Sequence, residues 1–159
     1  MKVASHKLYA TVFFLILLVF SGCSAGDLAR QRKAQLVVQA ARSYTGVPYK
    51  FGGTTRAGMD CSALLLHSFK SVKVNLPRVS RDQAKTGEKV KLKDLRPGDM
   101  VFFATGKKKN EITHAGIVTS VSGKREIRFI HASTKLGVTE SNLLSNYYMQ
   151  RFKRARRVL

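Results

Sequence analysis

Acidic side chains are scarce in this sequence: 9 stand against 29 lysines and arginines, for a formal net charge of +20. Such a chain seeks polyanions. Cysteine is scarcer still, with Cys23 and Cys61 the whole complement. Close-spaced ligand pairs are missing as well, which argues against the tetrahedral zinc site that one Cys with two or three His could complete. No metal and no cofactor are expected. No apolar run reaches the roughly 20 residues that a membrane-spanning helix needs. Internal repeats are absent, and low complexity is confined to basic runs. No recognition motif accompanies the positive charge, so nucleic acid is not the expected partner; anionic cell wall and lipid head groups are. The Lys107-Lys108-Lys109 run, between Gly106 and Asn110, reads as a solvated loop tip.

What is present begins with Lys2, His6 and Lys7, followed by the mostly apolar stretch Leu8 to Phe20 and the small residues Ser21 and Gly22 before Cys23. That order is a signal peptide over residues 1–22. The segment also resembles a bacterial lipobox, although Phe20 stands where Leu is usual. The resemblance implies a lipid on Cys23, with residues 23–35 forming a tether and the start of the first helix. Ser24 resembles the sorting pattern of outer-membrane lipoproteins, which places the protein in the cell envelope, facing the periplasm. Removing the signal leaves 137 residues carrying +18 of the charge, since only Lys2 and Lys7 are lost. That length suits one domain, here residues 36–159. Once Cys23 carries lipid, Cys61 is alone in an oxidising compartment, and a lone thiol there needs a reason.

Periodicity predicts an amphipathic helix from about Leu28 to Tyr44, stopped by Gly46. A glycine-containing loop then leads to a second helix opening at Asp60-Cys61-Ser62, with Asp60 as N-cap. The helix dipole at that position favours thiolate and predicts a lowered Cys61 pKa. A short helix is expected over Ser80 to Thr86 and a turn at Leu95-Arg96-Pro97-Gly98-Asp99. Strands are predicted at Met100–Ala104, His114–Val121 and Glu126–Ala132, with Gly137–Thr139 and Tyr148–Val158 as added edge strands. Helices first and strands second give an α+β fold, N-terminal helices packed on a C-terminal antiparallel β-sheet.

A thiol nucleophile needs an imidazole as proton acceptor, and the imidazole needs a polar group to fix its tautomer. His67 follows Cys61 by six residues, about 240° around the helix, and is expected to face solvent. His114 opens one predicted strand and His131 closes the next, so antiparallel pairing can join their rings beside Cys61. Asp60-Cys61-Ser62, His114-Ala115-Gly116-Ile117 and His131 in Phe129-Ile130-His131-Ala132 resemble, in order and spacing, the motifs of the NlpC-like cell-wall cysteine peptidases, a papain-like family. Pro48-Tyr49-Lys50-Phe51-Gly52-Gly53, Pro77 to Gln83, Leu95 to Asp99 and Arg151 to Val158 are similar to that family too, so the likeness covers residues 36–159.

The resemblance implies Cys61 as nucleophile, His114 as general base and then acid, and His131 as the group orienting His114. It gives Tyr49 an oxyanion-binding hydroxyl beside the Cys61 N–H, and makes Asp60 and Ser62 contacts to a peptidoglycan stem peptide. Arg78, Ser80 and Gln83 are implied to be mainly structural. Ala63 replaces a usual glycine, and Phe51 stands where a larger aromatic is common. The implied activity is an endopeptidase that cuts an amide in stem peptides or cross-links through a Cys61 acyl-thioester. An inactive wall-binding lipoprotein fits the charge alone, and an acyl or peptidyl transferase would use the same chemistry with another acceptor. Oligomeric state is not legible.

Overall fold

The computed structural model describes residues 25–123 and 125–159, so the signal segment and Cys23 lie outside the described residues. Helix α1 occupies 25–42; it starts ahead of the predicted periodicity, so residues expected as tether are helical. Lys33–Leu159 forms one compact unit. Its further elements are β1 (Thr54–Thr55), β2 (Gly58–Met59), α2 (Cys61–Lys70), α3 (Ser80–Gln83), β3 (Glu88–Val90), β4 (Met100–Phe103), β5 (His114–Ser122), β6 (Glu126–Ser133), β7 (Gly137–Asn142), α4 (Asn146–Met149) and β8 (Phe152–Arg157). The β1–β2 hairpin and β3 are too short and polar to show in the sequence pattern. Among the described residues no helix is long and apolar enough to cross a membrane.

The main sheet is antiparallel in the order β3-β8-β4-β5-β6-β7, and the architecture is the α+β arrangement expected. Both of its faces are covered. Val37, Val38 and Ala41 of α1 and Leu64, Leu65 and Phe69 of α2 join Met100, Phe102, Ala115, Ile117 and Ile130 on one face. Val101, Phe103, Val118, Phe129, Leu143 and Ala155 form the core on the other. Alternation therefore sends neighbours in β4 to opposite cores, which is why Met100-Val101-Phe102-Phe103 is apolar throughout.

Strand β8 is not the edge strand that its charges suggested. It lies between β3 and β4, and its arginines are absorbed by specific partners. The Arg156 Nε donates to the Ala84 carbonyl at 2.7 Å and Nη1 to that of Gly87 at 3.2 Å. Arg157 makes a two-pronged contact, 2.7 Å from each arm, with the carboxylate of Asp99, a residue only 1% exposed. Asp99 also accepts from the Arg96 N–H at 2.8 Å, so the Leu95-Arg96-Pro97-Gly98-Asp99 turn is tied to the C-terminal strand. The predicted β7 edge is observed, but three residues longer.

Glycine matters at two close approaches. A Cβ on Gly137 (φ +70°) would run into the Val47 carbonyl, so glycine lets the β6–β7 turn meet the loop that leads to Tyr49. A Cβ on Gly116 would stand 2.8 Å from the Ile130 carbonyl and collide with the Phe129 ring. That ring lies across β5 and stacks on His131, with centroids 4.9 Å apart.

Removing one partner of a buried ion pair leaves the other charge stranded. Arg157→Met is therefore expected to lower stability by about 3 kcal/mol, read as a fall in the urea midpoint at unchanged m-value.

Candidate active site

Cys61 is held by the start of α2. Asp60 adopts extended backbone (φ −93°, ψ 173°) and caps the helix by accepting from the Ala63 N–H at 2.8 Å. Its carboxylate does more than cap. Oδ1 also accepts from Ser62 Oγ at 2.9 Å and Arg78 Nη1 at 3.0 Å, and Oδ2 from Arg78 Nη2 at 2.7 Å and the Gly52 N–H at 3.1 Å. Burial pushes this carboxyl up, but the hydrogen bonds from Arg78, Ala63 and Ser62 and the Arg78 charge outweigh it, and the pKa lies below the ordinary value. Arg78 Nη1 also donates to Ser62 Oγ at 2.7 Å. Gln83, fully buried, donates to the carbonyls of Ser62 and Pro77 at 3.0 and 2.9 Å. Asp60, Ser62, Arg78 and Gln83 thus form one polar frame behind the thiol, and Ala63 fills core space where it is 1% exposed.

Cys61 is 6% exposed, and the backbone N–H of Ala115, the residue after His114, is directed at its sulfur. The expected low thiol pKa is overturned. Burial pushes it up and the Asp60 carboxylate adds to the rise; amides of Ala115, Ser62 and Cys61 itself pull the other way but do not prevail, and the pKa is about 11. The helix start supplies partial charges only, whereas desolvation acts on a full one. The resting sulfur is a neutral thiol.

The two rings predicted to meet do so. The Ile117–Ile130 pairing of β5 with β6 sets His131 diagonally from His114, and His114 Nε2 lies 2.9 Å from His131 Nδ1. The rings are edge-on, at 86°. Burial pulls His114 down to about 4; burial and then the charge of His114 pull His131 to about 3. Both are neutral at pH 7. On its far side His131 Nε2 faces two hydroxyls that the sequence reading missed, Ser141 Oγ at 3.0 Å and Tyr148 Oη at 3.1 Å. Nothing in the spacing marks them, because β7 and α4 bring them in from separate segments.

Tyr49 is bridged to Met59, just before the Asp60 cap, and is half-buried. Burial, then the charge that Cys61 carries once ionised, then that of Asp60 raise its pKa, so its hydroxyl keeps its proton and can donate. His67 is not simply solvent-facing. Its Nε2 lies 2.8 Å from the Thr54 carbonyl, and its ring packs 6.0 Å from that of Tyr44, which ties α2 to the β1–β2 hairpin. Phe51 is 88% exposed. Among the described residues no three His, Cys, Asp or Glu side chains cluster so as to hold a metal ion.

A thiol at a helix start, set against the strand that opens with one of two hydrogen-bonded imidazoles, can do nucleophilic acyl chemistry: the rings can take a proton from sulfur and return it to a leaving group. Together with helices on one side of an antiparallel sheet, this defines a papain-like cysteine peptidase. Residues 46–157 match the NlpC/P60 family, and the chain belongs to that family. It is 39% identical over 118 residues to "Probable endopeptidase NlpC" of Escherichia coli K12, covering 74% of this chain and 73% of that protein. It is 35% identical over 128 residues to "Murein DD-endopeptidase MepS/Murein LD-carboxypeptidase" of the same strain, covering 80% of this chain and 63% of that one. A crystal structure of an NlpC/P60 family protein from Bacillus cereus superposes with a TM-score of 0.70 at 27% identity, over 78% of this chain and 39% of the other. The chain thus spans well under half of that structural relative.

The lowered histidine values have a consequence for stability. An unfolded histidine takes up its proton near pH 6.5, while the folded pair does so only near pH 4 and 3. The unfolded state therefore binds more protons between about pH 6.5 and 4, and stability falls as pH falls through that window. The thermal midpoint should drop from pH 7 to pH 4.5, and His131→Asn should flatten that drop. In the same free enzyme, alkylation of Cys61 by iodoacetamide should be slower than that of free cysteine at pH 7 and still be rising above pH 9.

Proposed function

We propose that this chain is a peptidoglycan endopeptidase that cleaves an amide of stem peptides or their cross-links through an acyl-thioester on Cys61. The observation carrying the proposal is the hydrogen-bonded His114–His131 pair beside a strand whose next amide, that of Ala115, is directed at the Cys61 sulfur. The name of the Escherichia coli murein endopeptidase relative supports the substrate class.

Since thiol and imidazole are both neutral at rest, activation is by general base and not by a standing ion pair. His114 takes the sulfur proton as sulfur attacks the carbonyl carbon. The resulting oxyanion is met by preorganised donors, the Cys61 N–H and the Tyr49 hydroxyl. When the C–N bond breaks, the imidazolium gives its proton to the departing amine. A water molecule then attacks the thioester, losing its proton to His114, and the thiolate is reprotonated as the new carboxylate leaves. His131 orients His114 throughout and stabilises its cationic form. Asp60 and Ser62 hold the stem peptide from within the frame that Arg78 completes.

Residues 1–22 serve as the signal and Cys23 as the lipid attachment, followed by the short segment 23–35 and the catalytic domain 36–159. The protein is then anchored to the outer membrane, facing the periplasm. The Lys2-to-Cys23 pattern and the surplus of positive charge support this placement.

Purified muropeptides incubated with the protein should release peptide fragments whose summed mass exceeds that of the substrate by one water. Cys61→Ser and His114→Ala should each reduce the rate by about 10³-fold or more. Equal release by wild type and Cys61→Ser would remove the proposal, and products carrying the mass of another acceptor would replace hydrolysis with transfer.

A further inference from the structure

The loop between β4 and β5, residues 104–113, carries a basic run to the mouth of the site. Its base is pinned. The Thr113 N–H donates to the Phe103 carbonyl at 3.0 Å, and the Thr113 hydroxyl accepts from the N–H groups of Thr105 and Gly106 at 2.9 and 3.2 Å. The next residue is His114, in register with Phe103. Ile112 packs against the core cluster that contains Cys61, so the loop lies on the thiol's side of the sheet. Its far contact is with α3, where Arg81 Nη1 stands 3.8 Å from Glu111 Oε1, one helical turn beyond the Arg78 that grips Asp60. The loop thus runs from the His114 side of the site to the Arg78 side. Lys107, Lys108 and Lys109 are all exposed on it. Lys108 comes no closer than 3.9 Å to Glu111, and among the described residues no carboxylate pairs with Lys107 or Lys109. Arg156 and Arg157, by contrast, are consumed inside the fold. From Lys109 to His114 the chain spans at most about 17 Å, so a peptide whose amide lies at Cys61 can bring a carboxylate a few residues away to the lysines.

We infer that the β4–β5 loop is a substrate-binding rim whose Lys107, Lys108 and Lys109 meet carboxylates of the wall peptide beyond the scissile amide. That the wall peptide is the substrate rests on the proposed peptidase reading. Carboxylates suit the rim because a peptide strand offers them at chain ends and on acidic side chains. Ammonium groups on flexible stems act as point charges and demand no single geometry, so one rim serves carboxylates at differing positions. The rim touches no reacting atom. Its attraction is the same before and during attack, and it therefore acts on KM and on the rate of encounter and leaves kcat alone. Each exposed contact of this kind is worth roughly twofold in affinity, and three together about tenfold.

The test removes the same charge in two places. Lys107→Gln, Lys108→Gln and Lys109→Gln together make the rim variant. Lys89→Gln, Lys91→Gln and Lys93→Gln make a control at exposed positions in and after β3, where Lys89 is in register with Arg156 and so with Met100, the end of β4 away from His114. On cross-linked muropeptides at about 20 mM salt the rim variant should show a KM about tenfold above wild type with kcat within about twofold, and the gap should close at about 0.5 M salt. The control should stay within about twofold of wild type throughout. Amidation of the substrate carboxylates with carbodiimide and ammonia should raise the KM of the wild type more than that of the rim variant. An unchanged KM in the rim variant overturns the inference, as does an equal loss in the control or a wild type indifferent to amidation. Binding is read separately, by sedimenting each protein in the Cys61→Ser background with purified sacculi. If the wild type cleaves nothing, the peptidase reading fails by itself. Loss of sedimentation confined to the rim variant then upholds the rim as a wall-peptide contact, and equal sedimentation overturns it. Loss of binding to anionic phospholipid vesicles with sacculus binding intact assigns the lysines to lipid phosphate and overturns it too.

Discussion

One carboxylate holds the site together. Asp60 gathers five hydrogen bonds from three segments: the Ala63 amide and the Ser62 hydroxyl at the first turn of α2, two arms of Arg78 from the loop before α3, and the amide of Gly52 in the turn beside Tyr49. A buried carboxylate is costly unless it is this well supplied with donors. Satisfying it therefore forces the helix start, the Tyr49 loop and the Arg78 loop into one arrangement. Cys61, the next residue, inherits its position from that requirement.

The same charge adds to what burial does to the nucleophile. A helix start alone favours thiolate, yet here the thiol is enclosed and has a carboxylate for a sequence neighbour, and its pKa rises to about 11. The histidines respond to burial in the opposite sense and stay neutral. Neutral partners are what a dry, packed site tolerates without a counter-ion. The work of separating charge is thereby deferred to the moment of attack, when the fixed dipoles around His114 and the oxyanion donors are already in place.

Charge elsewhere is less free than the composition suggests. Arg156 and Arg157 are spent inside the fold, on carbonyls and on Asp99, and Arg42 and Arg128 share Glu140 at 2.8 and 3.1 Å. The nine carboxylates are few, but Asp60, Asp99 and Glu140 each bind arginine where the geometry gives most return. Lysine runs such as Lys107 to Lys109 are left on the exposed surface.

The sequence by itself determined the order of helices and strands, the Asp60 cap, and the spacing that brings His114 and His131 to neighbouring strands, because these follow from local periodicity and from the two-residue repeat of a strand. It also carried the family motifs, which fix residue types in order along the chain. Only the tertiary structure decided that β8 is an interior strand, since β3, its second neighbour, is three residues with no pattern of its own. It alone decided the ionisation of Cys61, because desolvation depends on what encloses a group and not on which residues flank it. The Ser141 and Tyr148 hydroxyls likewise meet His131 only after β7 and α4 have folded back, a convergence of distant segments that no spacing in the chain records.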